Sequence, residues 1–192
     1  MHLIPQLLDA RTLDLIRVTL DLARCTQYTL DRVDPADHNH YSPDVSVVNN
    51  CWDCYGHQVT EAMLALLTRR FSQVWDRELI PSYSYARYHW QGAELRPHRD
   101  RAGCEYSATV MIACDQPWPI YMAGDAKILS PGDAFTYRGE EVEHWREPFA
   151  GTECLIMTLH WVDAQGPYAD RAFDQRKGLG MPPVRLHGGQ NA

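Results

Sequence analysis

Residues 95–101, LRPHRDR, set an imidazole and a carboxylate at alternate positions, His98 and Asp100. In an extended strand, alternate side chains project to the same side. The pair therefore offers mixed nitrogen and oxygen donors, which suit a borderline divalent cation. HxD alone is a weak pattern, because a histidine near an aspartate is common on protein surfaces. A second segment strengthens it. Residues 129–137, LSPGDAFTY, read as a turn feeding a strand, and residues 139–146, GEEVEHWR, place His144 beyond that strand. Two histidines and one carboxylate on one face leave the opposite coordination positions open.

These residues need a scaffold, and the pattern predicts one. A helix is expected over 10–24, with Leu13, Ile16, Leu20 and Leu22 as its apolar stripe. A second is expected over 57–78, where Met63, Leu66, Leu67, Phe71, Val74 and Trp75 recur at three and four residues. The polar stretch 31–50 reads as a long loop and a candidate lid. After Pro81 the period becomes that of strands, over 82–90, 105–114, 119–122, 126–129, 134–137 and 153–162. Two helices followed by many short strands argue for an α+β fold, with N-terminal helices packed on a β-sandwich. A single domain is expected over 1–192. Helical support would span about 1–80, the core about 81–163, and a tail 164–192 would end in a mobile dozen residues.

Composition narrows the function classes. Hydrophobic residues at 45 % and charged residues at 22 % are globular proportions. A net charge of −7 with scattered arginines argues against a nucleic-acid partner, which needs a dense cationic face. No stretch approaches the roughly 20 apolar residues of a membrane span. The N-terminus lacks the basic and apolar regions of a signal peptide. A cytoplasmic protein with reduced thiols is expected. The Cys51 and Cys54 pair has CxxC spacing, but one such pair reads as packed thiols before it reads as a zinc or redox site.

From about 80 to 163 the chain resembles the prolyl-4-hydroxylase-like 2-oxoglutarate and Fe(II)-dependent dioxygenases. HxD, a hairpin region, a PGD-type turn with a hydrophobic strand, a distal histidine and a closing strand follow in that order. The resemblance implies a double-stranded β-helix (jelly-roll) with His98, Asp100 and His144 holding Fe(II) at its mouth. It implies 2-oxoglutarate and O2 as cosubstrates, and hydroxylation of a C–H bond in a small molecule, amino acid or peptide residue. Asp100 favours hydroxylation over halogenation, since related halogenases carry a small residue there. Tyr88 lies where members carry a tyrosine beside the cosubstrate; a core aromatic is the other reading.

The chain departs from the family in one respect. Members usually place Arg or Lys about nine or ten residues after the distal histidine, to bind the C5 carboxylate. Here those positions are Glu153 and Cys154. A buried dianion without a cation is costly, so Arg146 becomes the candidate, with Arg138 in reserve and a structural arginine as the alternative. Thr158 is a candidate donor to the same carboxylate. His160 and Trp145 are candidate substrate contacts, with Trp161 beside them; packing is the alternative for each. Trp52 and the 31–50 loop are candidate specificity elements. Arg99 and Arg101, opposite in phase to the metal ligands, are expected to point away. Two other functions stay open: a non-catalytic jelly-roll that binds a metal or small acid, and a cupin-like dioxygenase without 2-oxoglutarate.

Overall fold

The computed structural model describes residues 1–31 and 50–181. Most of the 31–50 loop and the last residues of the tail lie outside the described residues. Helix α1 spans Ala10–Asp31. Asp9 opens it by accepting a hydrogen bond from the Thr12 amide at 2.8 Å. It runs past the expected Arg24, and the next proline is Pro35. Helix α2 spans Gln58–Trp75 and stops at Asp76, which adopts a left-handed φ of 50°. Ile16 and Leu20 of α1, with Leu64 and Phe71 of α2, are fully buried. Leu22 and Leu66 were assigned to the apolar stripes, but they are 65 % and 74 % exposed. On α2 the buried stripe instead runs through Thr60, Glu61, Leu64 and Phe71. No described helix is long and apolar enough to cross a membrane.

Among the described residues, ten strands form two antiparallel sheets. They are β1 (His2–Ile4), β2 (Cys51–Tyr55), β3 (Leu79–Trp90), β4 (Leu95–His98), β5 (Tyr106–Cys114), β6 (Ile120–Met122), β7 (Asp125–Lys127), β8 (Ala134–Tyr137), β9 (His144–Arg146) and β10 (Glu153–Asp163). The larger sheet has the order β1-β8-β5-β10-β3-β2, and the smaller β4-β9-β6-β7. Strands β1 and β2 were not anticipated. The first is three residues long, and CWDCY lacks the β-branched residues that mark strands.

Alternation along β10 divides the interior. Leu155, Met157, Leu159 and Trp161 face the helices, where they join Ile16, Leu20, Leu64 and Phe71. Cys154 and Ile156 face the smaller sheet, with Trp118, Ile120, Met122 and Phe149. Thr158 and His160 continue that inner face toward the open end, beside the cluster of Tyr83, Tyr85 and Cys104. One sheet face thus anchors the helices while the other lines the cavity.

The described part of the tail packs on this body. A 3-10 segment at Ala169–Gln175 precedes Arg176, which is buried. Arg176 Nη2 lies 2.6 Å from Glu61 Oε1 and 3.2 Å from the Ser82 carbonyl. Both side chains of this ion pair are almost fully covered. Removing one partner strands a buried charge, at a cost of roughly 3 kcal/mol. Arg176→Met should therefore lower the thermal midpoint by several degrees, and Glu61→Leu/Arg176→Met should recover most of the loss. An unchanged midpoint in the single variant would rule the pair out as the fastening of the tail.

Candidate metal centre

Strands β4 and β9 pair with His98 directly opposite His144. The two rings lie 4.3 Å apart between centroids. Asp100 follows β4, and its amide donates to the Gly139 carbonyl at 2.9 Å. Its Oδ1 lies 3.5 Å from His98 Nε2 and 3.6 Å from His144 Nε2. One ligand atom from each of the three falls within 4.8 Å of the others. His98 Nδ1 sits 2.8 Å from the Arg96 carbonyl, and His144 Nδ1 sits 2.9 Å from the Val142 carbonyl. A carbonyl only accepts, so each Nδ1 carries the proton. Each Nε2 lone pair is then free for a cation. Burial alone would raise the Asp100 carboxyl, but the His98 hydrogen bond and the neighbouring histidines hold it at about 2. Burial pushes His144 below its usual value. Against burial, the Asp100 carboxylate and the Arg96 carbonyl push His98 above its usual value, so a bound divalent cation would take the place of the His98 Nε2 proton. Two imidazoles and a carboxylate are a donor set that fits such a cation.

Gly139 makes this approach feasible. A Cβ there would stand 2.5 Å from Asp100 Oδ2 and would also strike the Cys104 carbonyl. Gly139→Ala should displace Asp100 and weaken Fe(II) binding by about tenfold to a hundredfold, as the loss of a supporting contact does. Equilibrium titration with Fe(II) checks this, and an unchanged affinity would mean that the backbone yields without moving the carboxylate. Asp100 also meets Cys104 and His160 in a second cluster of ligand atoms within 4.8 Å. No local pattern marks Cys104, which lies in a short 3-10 turn at Ala102–Cys104.

The three side chains open into a cavity of about 270 Å³ between the sheets. Arg146 lies at its wall, buried, with its guanidinium 4.8 Å from the Trp118 ring. Nη1 donates to the Trp118 carbonyl, and Nη2 has no partner among the described residues. Burial lowers its pKa to about 10, which leaves it charged at neutral pH. Nearby, His89 also has an unpartnered buried Nδ1, and burial holds it well below its usual value. Thr109, Tyr137 and Thr158 line the same space. His160 lines it as well. Its Nδ1 is 2.9 Å from Ser107 Oγ, and burial lowers its pKa to about 4.

Several expected residues lie elsewhere. Tyr88 points to the helix face of β3. Its hydroxyl donates to Asp21 at 2.6 Å, and Arg24 stacks over its ring at 4.1 Å. The inner face of β3 carries Tyr83, Tyr85, Arg87 and His89 instead. Of the two readings of Tyr88, the core aromatic is the one found; the turn at Gly92, with a φ of +81°, separates the phase of β3 from that of β4. Tyr88→Phe should therefore leave 2-oxoglutarate dependence unchanged and cost about 1 kcal/mol of stability. A raised KM for the cosubstrate would contradict this placement. Trp145 stacks on Tyr121 at 5.3 Å, outside the cavity lining. Trp161 is packed against Phe71 at 4.5 Å. Trp52 is buried in the helix-side core. Arg138 pairs with Glu105, Glu140 and Glu141, away from the cavity. Arg99 and Arg101, expected to point away, line the cavity. Asp100 and Arg101 lie beyond β4, where strand phase no longer applies.

Neither a family model nor a curated protein matches this chain in sequence. Solved structures do match its fold. A prolyl-4-hydroxylase from Pseudomonas putida aligns with a TM-score of 0.59 and 16 % identity, over 84 % of this chain and 91 % of that one. HygX from Streptomyces hygroscopicus, solved with nickel and 2-oxoglutarate bound, aligns at 0.61 and 12 %, over 85 % and 82 %. SnoN, a non-haem α-ketoglutarate-dependent epimerase from nogalamycin biosynthesis, aligns at 0.60 and 14 %, over 99 % and 88 %. The fold is the jelly-roll of the 2-oxoglutarate/Fe(II) oxygenases. The expected α+β architecture, with helices on one sheet, is the architecture found.

Proposed function

We propose that this chain is a 2-oxoglutarate and Fe(II)-dependent oxygenase that hydroxylates a C–H bond of a small molecule, amino acid or peptide residue. The observation that carries this reading is the buried, half-partnered guanidinium of Arg146 in the same cavity as the His98, Asp100 and His144 donors. A fixed cation with an unused N–H edge suits a carboxylate. No cation stands at Glu153 or Cys154: Glu153 pairs with Arg24, and Cys154 is buried in the apolar cluster between the sheets. When bound, iron and 2-oxoglutarate would supply the oxidising chemistry, through decarboxylation of the cosubstrate to succinate and CO2 with O2.

The protein's own groups have narrower tasks. His98 and His144 present lone pairs whose direction the Arg96 and Val142 carbonyls set. Asp100 adds one negative charge and completes a three-sided donor set, leaving the cavity side open. Its presence favours hydroxylation over halogenation. Arg146 and Thr158 would hold the C5 carboxylate, with His89 at the same end. Ile120 and Ile156 exclude water beside them. His160 would face the substrate. We place the protein in the cytoplasm, where its thiols stay reduced.

Anaerobic addition of Fe(II) and then 2-oxoglutarate tests the reading. A weak visible charge-transfer band requiring both is the expected result. Iron binding without a band would remove 2-oxoglutarate from the reading and favour the cupin-like alternative. A band without O2 consumption across a substrate screen would favour the non-catalytic one.

A further inference from the structure

Beside the proposed metal and cosubstrate groups, the cavity is walled by tyrosine and arginine. Tyr83, Tyr85 and Arg87 share the inner face of β3, and Arg99 and Arg101 approach from the segment after β4. These arginines differ in what they have left to offer. Arg101 is spent: both terminal nitrogens bind Asp174, at 2.7 and 3.0 Å, and its guanidinium covers the Tyr83 ring at 4.4 Å. Asp174 is itself held by the Tyr55 hydroxyl at 2.6 Å and by a run of left-handed residues, Phe173 to Gln175. Arg99 is exposed and makes no hydrogen bond or ion pair among the described residues.

Arg87 is different. Its Nε donates to Asp53, its cross-strand partner on β2, and its guanidinium lies 5.1 Å from the Tyr85 ring. Its two terminal nitrogens have no partner among the described residues, and the side chain is 24 % exposed, so they are not sealed in protein. The Arg87 side chain lines the cavity, on the same face of β3 as His89. One edge of the guanidinium is fixed and the other is open. That is the preorganised half of a two-N–H grip on a carboxylate.

Charge points to the same partner. This step rests on the function proposed above. The metal's two positive charges and Arg146 balance Asp100 and the dianionic cosubstrate. Of the other described groups, Arg87 pairs with Asp53 and Arg101 with Asp174, which leaves the charge of exposed Arg99 over. A single carboxylate neutralises the loaded site, whereas a phosphate dianion overshoots it.

We propose that the substrate is a small molecule bearing one free carboxylate, bound by the terminal N–H edge of Arg87 beside Tyr85. Asp53 is the positioning residue for that grip. Benzoate is the probe, and benzamide is its neutral counterpart of the same shape. Calorimetric titration of the anaerobic protein loaded with Fe(II) and 2-oxoglutarate should show benzoate binding at least about tenfold more tightly than benzamide. The double variant Asp53→Asn/Arg87→Gln removes the pair without stranding either charge. It should lose the preference while keeping the charge-transfer band, which reports an intact fold and cosubstrate site. Equal binding of benzoate and benzamide overturns the proposal, as does an undiminished preference in the double variant. Inorganic phosphate binding more tightly than benzoate overturns the choice of a monoanion. Arg146→Met protein, titrated without metal or 2-oxoglutarate, repeats the comparison with the other guanidinium removed. A failure of the cosubstrate reading therefore stays separate from a failure of this one.

Discussion

Asp100→Ala should lower 2-oxoglutarate turnover by about a thousandfold or more, near 4 kcal/mol of lost transition-state stabilisation. The carboxylate is the only anionic member of the triad, and its Oδ1 lies within 3.6 Å of both imidazole Nε2 atoms. Without it, two neutral nitrogens must hold a divalent cation alone. Fe(II) affinity should fall with turnover, because the same atom serves both. The fold should survive: the Asp100 amide still donates to the Gly139 carbonyl, and the Gly139 contact is relieved rather than worsened. Succinate formation with saturating Fe(II), beside an iron titration, checks the expectation. Turnover within tenfold of the parent, with unchanged iron affinity, would sink the ligand assignment.

The same triad shows what a sequence can carry. His98, Asp100 and His144 could be picked out as candidates because metal chemistry restricts residue type. The strand phase invoked for Asp100 does not apply, since β4 ends at His98 and the Gly139 carbonyl holds the Asp100 amide. The Nδ1 partners of the two histidines were not legible, because backbone carbonyls at Arg96 and Val142 have no sequence signature. Tyr88 was read from family position, with a core aromatic as the alternative, and it is the core aromatic. Alternation holds within β3, yet Gly92 separates β3 from β4, and phase does not pass through a left-handed turn. Reading β3 alone would have grouped Tyr83, Tyr85, Arg87 and His89 against Ala86 and Tyr88, and so found the cavity wall. Arg101 was misplaced by the same extension of phase beyond a strand end. Its partner Asp174 lies 73 residues away, in a segment read as tail. Pairings of that range, such as Glu61 with Arg176, follow from the assembled sheet and leave no local pattern.

Arg146 was read from the need for a cation beside a buried dianion and from its place two residues after His144, a position that lines the cosubstrate pocket in the family the chain resembles. The usual cation after the distal histidine is missing, and the argument from a buried dianion required a substitute within reach. The structure places Arg146 in the cavity, buried, with Nη2 unpartnered, and lines the same space with Thr158. Its pKa, lowered to about 10 by burial, shows the strain of an uncompensated charge. A bound carboxylate would pair that charge, and because Arg146 is already desolvated only the ligand bears a new desolvation cost on binding. Arg146→Met keeps the bulk and removes the charge. It should raise the KM for 2-oxoglutarate by about a thousandfold, near 4 kcal/mol, within the range for breaking a buried charge pair. Fe(II) affinity should change little, because Arg146 donates to the Trp118 carbonyl and to no triad side chain. The thermal midpoint should hold or rise in the absence of cosubstrate, since an unpaired buried cation has been removed. Measuring KM, iron affinity and midpoint on one preparation separates a cosubstrate anchor from a structural arginine. An anchor raises the first without lowering the last; a structural arginine lowers the last and leaves the first in place.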